Sequence, residues 1–332
     1  MVRIYKDILT AMFLGFLLPG IVTNTAVTVS RVQEQPEETL PPEIRCPVSV
    51  RNGETVTEME LETYIAGVVL AEMPASFEKE ALKAQSAAAR TYTQKAMITG
   101  GKHKDGSVCT DSTCCQGYVS REDYLLQGGT AEAADKVLEA CRDTAGMVLV
   151  YEGELIEATY FSCSGGDTES AVAVWGTDIP YLQSVSSPGE EKSIVYEQTK
   201  TFTPGEFTQA LNLHLSGSPK DWVTVITRTD GGGVASMTVG GTTFSGTKLR
   251  SLLGLRSTAF TLNATDSLIT VTTRGYGHRV GMSQYGAEAM AISGSTYDEI
   301  LAHYYPGTRL ARLGNDGNME FFVEIQGNPT AG

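Results

Sequence analysis

At 332 residues with 41% hydrophobic side chains, the chain can bury the core of one large domain or of two modest ones. A formal net charge of −14 leaves no basic footprint for nucleic acid and argues against adsorption to anionic lipid headgroups. Neutral or weakly charged partners, glycans among them, remain compatible.

Residues 1–25 differ from the rest. Arg3 and Lys6 precede the apolar run Ile8–Val22, and no Lys or Arg follows until Arg31. The positive end therefore stays cytoplasmic and the remainder is exported. The run is short for a span of roughly 20 residues, as in a cleaved signal peptide. The lack of a clear A-x-A site near "VTNTAV" favours a retained anchor. We read residues 1–25 as a single-pass anchor in the cell membrane, with the functional part extracytoplasmic. "QEQPEETLPPEI" (33–44) has almost nothing to bury, so 26–44 is a stiff Pro/Glu-rich linker and 45–332 one folded domain.

"CPVSVRNG" reads as a strand, and "TVTEMELETYIAGVVLAEMP" as a helix with Thr57 and Glu60 in a capping box. Leu61, Tyr64, Ile65 and Val68 follow at helical spacing, and Pro74 stops the helix. Glu72, four residues past Val68, continues the apolar stripe at the helix C-terminus. Desolvation and the unpaired carbonyls there both favour the protonated acid, as general acid catalysis requires. The alternative is a glutamate whose head escapes to solvent at a frayed end.

A second helix is expected over 77–98, closed by Gly100 and Gly101. Lys83 and Arg90, seven apart, share one of its faces. They either line a cleft and orient sugar substituents or are solvated charges. Next, His103, Cys109, Cys114 and Cys115 supply one imidazole and three thiols, a tetrahedral donor set for structural zinc with no position left open for catalysis. Disulfides are the rival in an exported protein. Cys141 and Cys163 are either a further disulfide or buried thiols.

Strands and turns fill "GMVLVYEGELIEATYFSCSGG", and a helix, strands around "DGGG" and a short helix at "GTKLRSLLGL" come next. Strands at "AFTLNA" and "SLITVTTRG" lead to a glycine-rich loop and two final helices, the first from about Ser283. Without regular βαβ alternation the class is α+β, a single mixed domain with helical arms around a cleft. Ser162 and Ser164 lack the G-x-S-x-G of a nucleophilic serine, so glycan hydrogen bonding or turn chemistry accounts for them. In "GYGHRVGMSQYGA" the glycines bring backbone close to a ligand or to another segment, around His278, Gln284 and Tyr285.

Three collinear blocks, "YIAGVVLAEMPASFEKEALKAQSAAARTYTQKA", "YFSCSGGDTESAVAVWGTDIPYLQSV" and "GYGHRVGMSQYGAEAMAISGSTYDEILAHYYPGT", resemble the family of stage II sporulation protein D and the amidase enhancers. The likeness runs from about Val50 to Arg312. It implies a lytic transglycosylase that cuts peptidoglycan strands between N-acetylmuramic acid and N-acetylglucosamine. The strands would be stripped of peptides by an amidase, and the setting engulfment of the forespore beside a membrane-anchored partner. The family's catalytic glutamate matches Glu72, and its cleft residues match Lys83, Arg90 and Tyr160. Ser164, His278, Gln284 and Tyr285, from the other two blocks, are expected beside the substrate. Arg279 departs from the family's usual glycine, and Cys163 from a frequent threonine. The His/Cys cluster, although clostridial-type members look similar there, rests mainly on ligand chemistry. The first rival is a non-catalytic glycan-binding enhancer of an amidase; the second is a metal-dependent hydrolase using His103, His278 or His303.

Overall fold

The computed structural model describes residues 47–314 and 323–324. The expected anchor and linker lie outside them. Among the described residues no helix is long and apolar enough to cross a membrane.

Strand Pro47–Asn52 pairs antiparallel with Thr55–Glu60 through a turn at Gly53, and parallel with the short strand Val108–Cys109. This corrects the expected helix start. "TVTEME" alternates β-branched and polar residues and finds a partner strand in full register, which overrides the capping-box pattern. Helix α1 therefore spans Leu61–Glu72, and Glu60 caps it by accepting from the N–H groups of Glu62 and Thr63 at 2.8 and 2.7 Å. Leu61 and Tyr64 to Val69 are buried, so α1 reaches the surface only at its two ends, at Glu62 and Thr63 in the first turn and at Leu70 to Glu72 in the last.

Helix α2, Lys79–Thr99, ends as expected on Gly100 in the left-handed region. The sequence reading assigned nothing to α3 (Arg121–Leu126) or α4 (Ala131–Asp143), although the Thr130 hydroxyl caps α4 at 3.2 Å. Helices α1, α2 and α4 pack on one another around an alanine-rich core that also holds strand Met147–Tyr151. That strand belongs to a small sheet with Glu154–Leu155, Arg309–Arg312 and Val323–Glu324. Helix α5 is Ala171–Trp175.

Residues 197–274 build a second apolar core. Helices α6 (Pro204–Leu211) and α7 (Gly246–Leu252) lie with two three-stranded antiparallel sheets around Phe207, Trp222, Met237, Leu249, Phe260 and Val271. Helices α8 (Gln284–Ile292) and α9 (Tyr297–Tyr304) return to the first core and pack on α2. The fold is mixed α+β, as expected, but its sheets are several and small.

Two strands place the glycine-rich loop. Tyr160–Phe161 runs parallel to Met282–Ser283, and Cys163 bridges to Tyr276. The close approach is to another chain segment: a Cβ on Gly281 would lie 2.1 Å from the Thr159 carbonyl oxygen. Arg279 has φ +68°, a conformation that favours glycine, and its side chain explains the exception. It is buried, donates to the carbonyls of Ser164, Asp167 and Gly231 at 2.6, 2.6 and 2.7 Å, and pairs with Glu169 at 3.0 Å. The cation thus ties the loop to the turn between strands Val223–Arg228 and Val234–Val239.

Candidate active site

Glu72 is half-buried at the point where two cavities meet, one of about 600 Å³ and one of about 1150 Å³. Pro74 and the Met73 cap end α1 there, so the carboxyl projects from a rigid helix rather than a frayed end. Burial raises its pKa, opposed by the Gly117 N–H, which donates to Oε1 at 2.6 Å. A Cβ on Gly117 would sit 2.9 Å from that oxygen, so a side chain there would push the Glu72 carboxyl out of this position. The arrangement holds one acid oriented, partly desolvated and open to both cavities.

Tyr160 lines the larger cavity beside it. Its hydroxyl donates to Gln116 Oε1 at 2.8 Å, Gln116 Nε2 donates to Thr93 at 2.9 Å, and burial pushes the phenol pKa up. Tyr160 is therefore a neutral phenol on a fixed mount, its one proton given to Gln116 and its oxygen left as an acceptor. Gln284 lines the same cavity with only 5% of its surface exposed, and its Nε2 has no hydrogen-bond partner among the described residues. A buried donor left unmade is costly, so a cavity-facing acceptor from a ligand would complete it.

His278 also lines the cavity, but as a mounted ring. Nδ1 accepts from the Val280 N–H at 3.1 Å, and the ring lies 5.6 Å from Phe161 and 5.5 Å from Trp175. Burial, helped by Arg250, lowers its pKa to about 4, so the imidazole is neutral.

Four expected site residues are placed away from the cleft. Arg90 is fully buried: it forks onto both oxygens of Glu62 and donates to the carbonyls of Met147 and Cys141. Lys83 pairs with Glu80 at 2.8 Å and Asp143 at 3.4 Å. The side of α2 that lines the cavity carries Tyr92, Lys95, Ala96 and Thr99 instead. Tyr92 is two residues past Arg90, about 200° around the helix, so the two point to opposite sides. Ser164 is fully buried and donates to Glu190 Oε2 at 2.7 Å. Glu190 also accepts from the backbone N–H groups of Ser164 and Gly165 and from the hydroxyls of Ser187 and Ser283. Tyr285 packs edge-on against Phe77 at 5.0 Å and lines neither cavity. Cys163 donates to Glu190 Oε2 at 3.3 Å, a thiol in a role that a hydroxyl fills equally well.

His103, Cys109, Cys114 and Cys115 offer one ligand atom each, all within 4.8 Å of one another. The five described cysteines are free thiols. The donor set fits a tetrahedral metal ion, and it stands directly beside the site, because Gln116 and Gly117 follow the cysteine pair. Gln116 and Gly117 are the residues the sequence reading missed. Their adjacency to "CC" was the available signal. Trp175, Tyr276 and Lys102, which also line the larger cavity, carried none.

The family model described as SpoIID, stage II sporulation protein, matches residues 50–151. Stage II sporulation protein D of Bacillus subtilis (strain 168) is 42% identical over 293 residues, covering 87% of this chain and 85% of that protein. The chain belongs to the stage II sporulation protein D family. The family's member from Bacillus amyloliquefaciens is 41% identical over 273 residues, 81% of this chain and 79% of its own. The amidase enhancer of Bacillus subtilis (strain 168) is 33% identical over 300 residues, 74% of this chain but 40% of that longer protein. For this stage II sporulation protein D relative the setting is therefore sporulation, and Glu72, Gln116 and Gly117 fall within the matched segment, whereas Tyr160, His278 and Gln284 lie beyond it.

Proposed function

We propose that the chain is a peptidoglycan lytic transglycosylase acting on denuded glycan strands, with Glu72 as its acid and base. The observation that carries the reading is the Glu72 carboxyl, pKa raised by burial, at the junction of two cavities of sugar size. A glycosidase that uses water needs two carboxylates flanking the bond. Here one suffices, because the sugar's own 6-hydroxyl replaces water.

Protonated Glu72 donates to the glycosidic oxygen between N-acetylmuramic acid and N-acetylglucosamine as the C1–O bond breaks. The resulting carboxylate takes the 6-hydroxyl proton while that oxygen bonds to C1, leaving a 1,6-anhydro end and a reprotonated Glu72. The Gly117 N–H holds the carboxyl in place and supports its ionised state. Tyr160 and the unmatched Gln284 amide face the sugar that occupies the larger cavity. The half-exposed rings of Trp175 and Tyr276 offer it stacking surfaces. A zinc ion bound by His103, Cys109, Cys114 and Cys115 supplies no chemistry to this step; it would fix the loop that carries Gln116 and Gly117. The N-terminal segment would tether the domain outside the cytoplasmic membrane. An amidase would supply the naked strands, and a membrane-anchored partner would act beside it.

The test is product mass. The full chain in detergent, incubated with denuded strands, is expected to release fragments one water lighter than hydrolysis products, and Glu72→Gln none. Fragments of hydrolytic mass would point instead to the second carboxylate on the cavity wall, Glu157, now paired with Lys95 at 3.4 Å. Binding without cleavage would leave the enhancer reading that the amidase-enhancer relative raises.

A further inference from the structure

The two cavities that meet at Glu72 differ in charge. The smaller is lined by Thr110, Ser112, Tyr118, Tyr124 and Gln127, and Glu72 is its one charged lining group among the described residues. The larger carries Lys95, Lys102 and Glu157 besides Glu72. Two lysines among its lining stand against the background of a chain with net charge −14.

The two lysines are not equivalent. Lys95 donates to the Leu155 carbonyl at 2.9 Å and lies against Glu157, so its charge is already answered inside the cavity. Lys102 donates to the carbonyl of Cys114, which is neutral, and the carboxylate its field reaches, Asp111, lies outside the cavity and is exposed. Its position follows from the fold: Gly100 and Gly101 turn the chain at the end of α2 and set Lys102 on the cavity rim.

We propose that Lys102 is a specificity residue that binds the free lactyl carboxylate of an N-acetylmuramic acid unit in the larger cavity. The inference rests on the glycan-strand reading above. The charge asymmetry then gives the strand a direction: the acidic muramic sugar lies on the lysine side of Glu72, and the neutral N-acetylglucosamine occupies the uncharged smaller cavity. It also makes the cleft a reader of prior processing. In a peptide-bearing strand the lactyl group is an amide, which lacks the charge and adds bulk. Only after hydrolysis of that amide does an anion exist for Lys102 to bind, which gives the denuded strands of the reading above a recognition element in the cleft.

The test uses the full chain carrying Glu72→Gln, which keeps the ligand intact, and calorimetric binding of three tetrasaccharides. One is the alternating glucosamine–muramic acid strand with free lactyl carboxylates. The second is the same strand with those groups converted to methylamides, and the third is the neutral N-acetylglucosamine tetramer. The acid form is expected to bind about three- to fivefold tighter than its amide, as for an exposed ion pair, and the advantage should shrink with added salt. Adding Lys102→Gln should bring the acid form down to the amide's affinity and leave the other two ligands unchanged, while Lys102→Arg should restore the preference. Equal affinity for acid and amide, or equal weakening of all three ligands by Lys102→Gln, would overturn the inference while leaving the glycan reading standing. Failure of all three ligands to bind would overturn both.

Discussion

The backbone N–H of Gly117 donates to Oε1 of Glu72 at 2.6 Å, joining the loop that follows the cysteine pair to the last residue of α1. The acid and its orienting donor are 45 residues apart in sequence. Their meeting makes the reactivity of Glu72 depend on a loop that follows directly on the four clustered metal-type donors.

The pH dependence of Glu72 has a defined sign. Its folded pKa lies above the ordinary glutamate value of 4.5, so the ionised form is disfavoured in the native state relative to the unfolded chain. Stability is unaffected below the unfolded pKa and is lost as pH rises toward and through the folded pKa. Glu72→Gln keeps the oxygen that accepts from Gly117 and removes that cost. Its melting temperature should exceed the wild type's at about pH 8, and the difference should close by about pH 4. In kinetics, the wild-type kcat/KM should fall on the alkaline side at the Glu72 pKa, and Glu72→Gln should lose roughly 10²–10⁴-fold in rate. An alkaline limb unrelated to Glu72 would count against its role as the acid.

Arg90 and Lys83 should separate cleanly. Arg90 is buried, with its donors divided between Glu62 and the carbonyls of Met147 and Cys141, so Arg90→Ala takes the cation from a largely buried carboxylate, frees two carbonyls and should cost about 3–5 kcal/mol. Any loss of its activity should follow the unfolded fraction, with activity per folded molecule kept. Lys83 makes partly exposed ion pairs, and Lys83→Ala should change stability by less than about 1 kcal/mol and leave turnover close to wild type. Thermal melts read beside activity per folded molecule decide both.

Arg279 occupies a backbone conformation suited to glycine, yet Arg279→Gly should not stabilise. The relief of a positive φ is of order 1 kcal/mol, whereas Glu169, equally buried, would lose its cation at a cost of about 3–5 kcal/mol. The double variant Arg279→Gly with Glu169→Gln should recover part of that loss, as urea unfolding would show.

Removal of metal should act locally. Chelation is expected to raise amide hydrogen exchange between about residues 101 and 120 and to lower cleavage, while α2 and the second core keep their protection. Unchanged exchange in that loop after chelation would show that no ion holds it.

Much of this was legible in the chain itself. The apolar periodicity of α1, its stop at Met73-Pro74 and the glycine end of α2 put Glu72 at a helix terminus beside a second helix. The donor types of His103, Cys109, Cys114 and Cys115 marked a cluster before any coordinates. Local signals suffice there because helix periodicity, caps and ligand chemistry are written in neighbouring residues. Which side of α2 faces the cleft was not so written. Lys83 and Arg90 share a helix face, but whether that face meets solvent, cleft or core depends on where α4 and Glu62 pack. The Thr57–Glu60 pattern failed for the same reason, since a partner strand outbid a local cap. The pairings that make the site, Gly117 with Glu72 and Gln116 with Tyr160, join segments about 45 residues apart. Only tertiary packing brings such segments together, because burial and backbone hydrogen bonds are satisfied by neighbours in space.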